Sequence, residues 1–328
     1  TFAAYKKRWI KQFVQQGGVR LKPPIYEQRA LGICSDPVPT SLLNFSSPIP
    51  KALWPAGEGV ALKRLDQFIQ NNIFTYHEVS DYPALDLTSK LSPYLAAGMI
   101  SPRQCFVKAL AKNDNRLGDG SEGAIQWMNE LIWRDFYKHI LITVPRIGAG
   151  GAYQEKTQDI AWHFDQAMFD AWTEGRTGFP IIDAAMRQLN TTGWMHPRLR
   201  VITATFFAKC MFFDWRKGEE YFMRHLIDGD FAGKNGGWQS CASTGVDTGS
   251  YFRYFDPIRQ SDRYDPDGVF IKMFCSELQD MSTFAVHLPY TRARAQAEKT
   301  NYPRPILDLK ESRIRATDGF REGVKKKI

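Results

Sequence analysis

Asp228 and Asp230 flank Gly229 at the head of GDFAGKNGGWQS, residues 229–240, a stretch that carries four glycines, Lys234 and Trp238. Glycine runs let a backbone come close to a planar or anionic partner, because no Cβ stands in the way. The two carboxylates suit metal binding, helix capping, or acceptance of hydrogen bonds from a heterocycle or ribose, although two carboxylates alone rarely hold a metal. Lys234 does not complete a phosphate loop. Three residues separate the glycines of GDFAGK where that motif needs four, and no Ser or Thr follows the lysine. GAGG at 148–151 opens no βαβ unit, which removes a dinucleotide fingerprint.

LTSKLSPYL, residues 87–95, offers a better anion site. Thr88, Ser89 and Ser92 supply hydroxyls and Lys90 a charge where a helix begins after DYPALD. Helix-start N–H groups with hydroxyls cradle a pyrophosphate, and the same residues serve equally as N-caps. On the helix around 130, Glu130, Trp133, Arg134 and Tyr137 fall at i, i+3, i+4 and i+7 and share one stripe. That stripe is too polar for a core. It fits either a salt-bridged solvent face or a cavity for a planar polar ligand. Trp162, Trp215 and Trp238 lie on separate segments, and each read singly is a core residue.

The elements that must position these residues read as helical almost throughout. EGAIQWMNELIWRDFYKHIL (122–141) spaces Ile125, Met128, Leu131, Ile132 and Phe136 at three and four residues. FPIIDAAMRQLNTTG (179–193) has Pro180 at a helix start, Gly193 past its end, and Ile181, Ala185, Met186 and Leu189 as its stripe. HPRLRVITATFFAKCMFF reads as a more buried helix, and KGEEYFMRHLI as a short one. Residues 1–60, with prolines at 23, 24, 37, 39, 48, 50 and 55, read as a helix over about 2–16 and a connector on the surface of the body formed by 61–328. The predicted class is all-α.

Composition narrows the function. Five scattered cysteines with no CxxC, and histidines with no HExxH, argue against a metal centre and for reduced thiols in the cytoplasm. The apolar run over 201–213 is broken by Lys209 and is too short to span a bilayer. The chain starts at Thr1, as a fragment or processed chain would. A net charge of +8 favours an anionic partner, and 9 Trp, 13 Tyr and 22 Phe suit stacked bases or a flat cofactor.

In order along the chain, YHEVSDYPALDLTSKLSPYLAAGMISPRQC, WMNELIWRDFYKHI, AWTEGRTGFPIIDAAMRQLNTTGWMHPRLR, DWRKGEEYFMRHLIDGDFAGKNGGWQ and ASTGVD resemble the FAD-binding domain of the DNA photolyase/cryptochrome family, closest to its bacterial cyclobutane pyrimidine dimer photolyases. The resemblance runs from about Phe2 to the C-terminal region, without the family's N-terminal α/β antenna domain. It implies an all-helical fold around a U-shaped FAD. Tyr76, Thr88, Ser89, Lys90, Leu91 and Ser92 would hold the pyrophosphate, and Trp127, Glu130, Arg134 and Arg200 would surround flavin and adenine. Asp228 and Asp230 would contact ribityl and isoalloxazine groups, and Glu130 would also face the lesion. Trp238, Trp215 and Trp162 match the family's three-tryptophan electron wire. The implied activity is light-driven repair of pyrimidine dimers flipped out of DNA, by a monomer that binds phosphates through its basic surface.

The departures cluster around the lesion. Pro197 stands where the family has Asn, Val201 where it has Met, and Ser240 where a second tryptophan flanks the dimer, which leaves Trp133 as the retained aromatic wall beside Tyr137 and Arg198. Lys234 replaces the Asn that faces flavin N5, and Ser250, Tyr254 and Asp256 also depart. Base–aromatic stacking contributes roughly 1–3 kcal/mol per base, so loss of one wall impairs repair without abolishing it. A cation at Lys234 favours an anionic flavin or donates a proton towards N5. Three readings follow: a repair enzyme with a modified pocket, a photoreceptor or flavin photoenzyme with another substrate, and a non-catalytic DNA-binding flavoprotein.

Overall fold

Apolar residues at three- and four-residue spacing become helices through the whole computed structural model, which describes residues 1–18, 34, 36–37, 49–246 and 254–325. No strand forms among them, and one isolated bridge joins His163 and Phe213. Most of the Pro-rich connector, the Asp that ends ASTGVD, and Ser250 lie outside the described residues.

Helix α1 (Phe2–Gln15) sets Phe2, Tyr5, Trp9 and Phe13 on one face against the body and leaves Lys7, Arg8 and Lys11 exposed. Then come α2 (Glu58–Asn71), α3 (Tyr76–Val79), α4 (Ser92–Ala96) and α5 (Pro102–Lys112). A Ser101–Gln104 capping box starts α5, which satisfies two backbone donors that a helix start otherwise leaves bare. The long α6 (Glu122–Thr143) buries Trp127, Met128, Leu131, Ile132 and Phe136, and its N-terminal half completes a first core with Leu65, Phe68, Leu91 and Phe106.

The second and larger core is built by α7 (Gln166–Thr173), α8 (Pro180–Thr192), α9 (Pro197–Thr205), α10 (Trp215–His225), α11 (Phe231–Ala242), α12 (Pro257–Tyr264) and α13 (Val269–Phe274). Short α14 (Pro289–Arg292) and α15 (Arg294–Ala297) lead to α16 (Leu309–Lys325). Helix α8 has Pro180 in its first turn and stops at Gly193, whose φ of +67° suits a residue without Cβ. HPRLRVITATFFAKCMFF is α9 followed by a π turn over Phe206–Cys210, exposed at Pro197 and Val201 and buried throughout from Ile202 onward.

The glycine-rich stretch 229–240 is not a loop: most of it is α11. Asp230 caps that helix, accepting from the Gly233 N–H at 3.4 Å. Tertiary packing overrides the poor helix propensity of glycine here. An added Cβ at Gly236 would lie 2.1 Å from the Tyr137 ring, so only glycine lets α11 and α6 touch. At Gly237 nothing lies within 4 Å of such a Cβ. Gly236→Ala is therefore expected to lower stability by roughly 1–3 kcal/mol through overpacking, whereas Gly237→Ala should be neutral or raise it by about 0.5–1 kcal/mol. Urea denaturation of the ligand-free proteins separates the two, and equal midpoints would refute the packing argument.

Candidate cofactor cavity

Between the two cores lies a cavity of about 430 Å³, walled by α3, α4, α6 and α9. A smaller lobe of about 190 Å³ opens between α9 and α11, and Pro197 and Val201 line both. Their size is that of a cofactor site, for which about 300–1,000 Å³ is usual.

The larger lobe gathers Tyr76, Ser89, Leu91, Ser92, Trp127, Glu130, Arg134, Pro197, Arg198 and Val201. The smaller gathers Arg200, Lys234 and Trp238, with Gly233 and Gly237 leaving it open. Ser80, Asp81 and Gln126 also line the larger lobe and were not legible as site residues. Asp81 holds Arg198 in a two-pronged pair at 3.1 and 2.6 Å, and Gln126 donates to Ser80 Oγ at 3.2 Å.

Several expected residues are placed elsewhere. Lys90 turns to the far face of its loop, where it pairs with Asp86 and lies 5.5 Å from the Trp194 ring centre. Trp133 stacks on Phe2, with centroids 3.6 Å apart and planes 6° apart, and Tyr137 packs on Gly236. The stripe on α6 is therefore split: Glu130 and Arg134 face the cavity, while the other two pack on α1 and α11 and line neither lobe. Ser240 is exposed on α11 and lines neither lobe.

Of the tryptophans, Trp238 and Trp215 are buried in the larger core and Trp162 is half-buried beside it. Trp238 lies against Gly218, one turn along α10 from Trp215. Among the tryptophans of the described residues, the ring packed against Trp238 is Trp172 at 6.3 Å, a residue to which the sequence assigned no role although its segment, AWTEGRTG, is part of the family likeness.

Charge is concentrated at the inner end. Arg200 grips Asp228 at 2.9 and 2.7 Å, and Lys234 Nζ lies 3.5 Å from the same carboxylate. Arg134 and Lys138 reach Asp230 at 3.2 and 3.9 Å. Of these cations Arg200 and Lys234 line the smaller lobe and Arg134 the larger, so three cations on two aspartates leave a surplus that suits an anion. Burial alone would raise the Asp228 pKa, but Arg200 and then Lys234 hold it well below the usual range. Burial, then Arg200, lower the Lys234 ammonium to about 8 against the pull of Asp228.

Behind the lining of the lobes, two buried atoms have no partner among the described residues: the Thr88 hydroxyl, and Nε2 of His196, whose Nδ1 accepts the Arg198 N–H at 3.2 Å as the cap of α9. Burial, then Arg200, Arg198 and Lys90, push the His196 pKa down to about 3, so its ring is neutral. The Ser89 and Ser92 hydroxyls in one lobe and the cations Arg134, Arg200 and Lys234 along both fit a dinucleotide with a pyrophosphate. Arg200, Asp228, Asp230 and Lys234 would hold its ring system, and Ser89, Ser92 and Thr88 its phosphates.

Glu130 presents its carboxyl to the open cavity. The side chain is reached by solvent through the cavity yet closely surrounded by protein, and that enclosure, then the Asp81 charge, push it up to about 7, with Arg198 opposing. A carboxyl raised on folding contributes stability below its unfolded pKa and loses it as pH rises through the folded value. Glu130→Gln is therefore expected to match the parent in Tm near pH 4.5 and exceed it at pH 8 in ligand-free protein. Identical curves across that range would show the carboxyl to be fully hydrated.

Comparison with known proteins agrees with this geometry. The family described as "FAD binding domain of DNA photolyase" matches residues 127–322. The deoxyribodipyrimidine photo-lyase of Escherichia coli (strain K12) is 41% identical over 321 residues, 98% of this chain and 67% of its own length. The Neurospora crassa deoxyribodipyrimidine photo-lyase is 45% identical over 284 residues, 83% of this chain but 46% of its own. Among solved structures, a class III photolyase from Agrobacterium tumefaciens superposes with a TM-score of 0.78 at 36% identity, covering 84% of this chain and 57% of the neighbour. A Synechocystis cryptochrome gives 0.70 at 30% identity, covering 81% and 56%. This chain belongs to the DNA photolyase family and carries its helical FAD-binding domain.

Proposed function

We propose that this chain is the flavin-binding, catalytic part of a light-dependent enzyme that reverses cyclobutane pyrimidine dimers in DNA. The observation that carries the reading is the two-lobed cavity itself, cation-rich at its inner end, with Trp238 in that end's wall and Glu130 and Arg198 in the outer lobe. Bound FAD in its reduced form supplies the photoexcited electron that splits the cyclobutane ring. The protein's residues do the rest. Arg200 and Lys234 stabilise negative charge in the inner lobe. Glu130, half-protonated near neutrality, offers a hydrogen bond to a pyrimidine carbonyl. Trp238 and its buried aromatic neighbours pass electrons inward, and the basic surface holds DNA phosphates in a salt-dependent way.

A specific observation favours a second reading, a photoreceptor or flavin photoenzyme with another substrate. Pro197 and Val201 form the wall common to both lobes, so the junction where flavin would meet substrate is aliphatic. Trp133, the retained aromatic wall, is covered by Phe2.

Illumination of the FAD-loaded, reduced protein with a thymine-dimer oligonucleotide separates the readings. Dimer loss supports repair, whereas no turnover with bound, fully reduced FAD sinks it; Lys234→Asn combined with Ser240→Trp is then expected to restore turnover if the pocket is the cause. Lys234 makes a second expectation. Its charge is lost as pH rises through about 8, so the flavin reduction potential should fall more steeply between pH 7 and 9 than in Lys234→Asn. Parallel potential–pH lines would rule out charge control by Lys234.

A further inference from the structure

A second crevice, of about 250 Å³, lies on the far side of the 86–92 loop and shares no lining residue with either lobe of the cofactor cavity. It is walled by Trp54 from the end of the connector, Arg64 of α2, Lys90, Trp194, and Phe270 and Phe274 of α13. Trp54 is fixed there by donating its indole N–H to the Thr192 carbonyl at 2.8 Å. The Trp54 and Trp194 rings lie 6.1 Å apart at 48°, which opens an aromatic notch rather than a closed stack.

Arg64 is the unexplained group. Its guanidinium lies over the rings of Trp54 at 6.0 Å and Tyr94 at 5.6 Å, and its Nε is buried with no hydrogen-bond partner among the described residues. The one carboxylate in the lining, Asp86, is already paired with Lys90. Among the described residues the crevice therefore keeps one uncompensated positive charge, held by aromatic faces, with a planar fork of donors. A buried donor left bare costs stability that a ligand would return.

We propose that this crevice is a second ligand site, taking a flat ring against Trp54 and Trp194 with an anionic group on Arg64. The ligand class is a one- or two-ring aromatic anion, either a nucleoside monophosphate or an aromatic carboxylate. The site goes beyond the repair reading and does not depend on it. It would still touch the cofactor cavity indirectly, because Trp194 also donates to Ser92 Oγ at 3.2 Å on the cavity side of the loop.

The test is calorimetric titration of the whole chain, with and without FAD, using AMP, indole-3-acetate, adenosine and inorganic phosphate. AMP or indole-3-acetate is expected to bind about 10-fold or more tightly than both adenosine and phosphate, because ring and charge are needed together. The tighter of the two identifies the source. Arg64→Gln should weaken that binding about 10-fold or more without changing FAD content. Met273→Trp, at an exposed position on the crevice mouth, should block it with the core intact. The proposal falls if adenosine binds as well as AMP and phosphate as well as indole-3-acetate, if both variants bind like the parent, or if FAD loading abolishes binding, which would place the ligand in the cofactor cavity. A protein that takes up no FAD would defeat the flavin reading, while the titration of FAD-free protein still decides this one.

Discussion

The Arg200–Asp228 pair is the constraint around which the site is arranged. It is bidentate, the aspartate side chain is fully buried, and it ties α9 to the turn between α10 and α11. Breaking a buried pair on one side leaves an uncompensated charge, at a cost of about 3–5 kcal/mol. With that tie in place, α11 must start at Asp230, and its glycine face then meets Tyr137 of α6. The distance between the two cores, and so the width of the cavity, follows from those contacts. Lys234 joins that pair while buried beside the Arg200 charge, which is why its ammonium is the weakly held proton of the group.

Helical class, the length of α6, and both ends of α8 were legible because apolar spacing, Pro180 and Gly193 report local geometry. The nature of 229–240 was not. Four glycines argue for a loop by propensity, and only contact with Tyr137 and the cap from Asp230 make it a helix. Lys90 was legible as a charge near a phosphate loop. Its positive φ of 48° turns the side chain to Asp86 on the opposite face, and no sequence pattern encodes that. Trp133 and Tyr137 share the stripe of Glu130, but their rings are claimed by Phe2 and Gly236, partners far away along the chain in opposite directions. Trp172 became visible only through the ring packed against it.

The substitutions at Pro197 and Val201 gain meaning from position. Both residues stand at the junction of the lobes, one exposed at the start of α9 and one a turn later. A proline and a valine there can shape the passage but donate no hydrogen bond from their side chains. Residues that grip an anion in the inner lobe, by contrast, are held by several simultaneous charge contacts. The two lobes have thus been left under different constraints: the inner one fixed by electrostatics, the junction free to vary in shape.

His196 has a consequence of its own. Its Nδ1 accepts the backbone N–H that begins α9, so the ring's single proton must sit on Nε2, the atom with no protein partner. Helix initiation therefore fixes the tautomer. The ring becomes a neutral donor that does not titrate anywhere near physiological pH, set among Arg198, Arg200 and Lys90. A protonated imidazole at that position would add a fourth positive charge to three that already crowd one another. Through this histidine, the start of a helix caps its own backbone without adding to the repulsion among its neighbours.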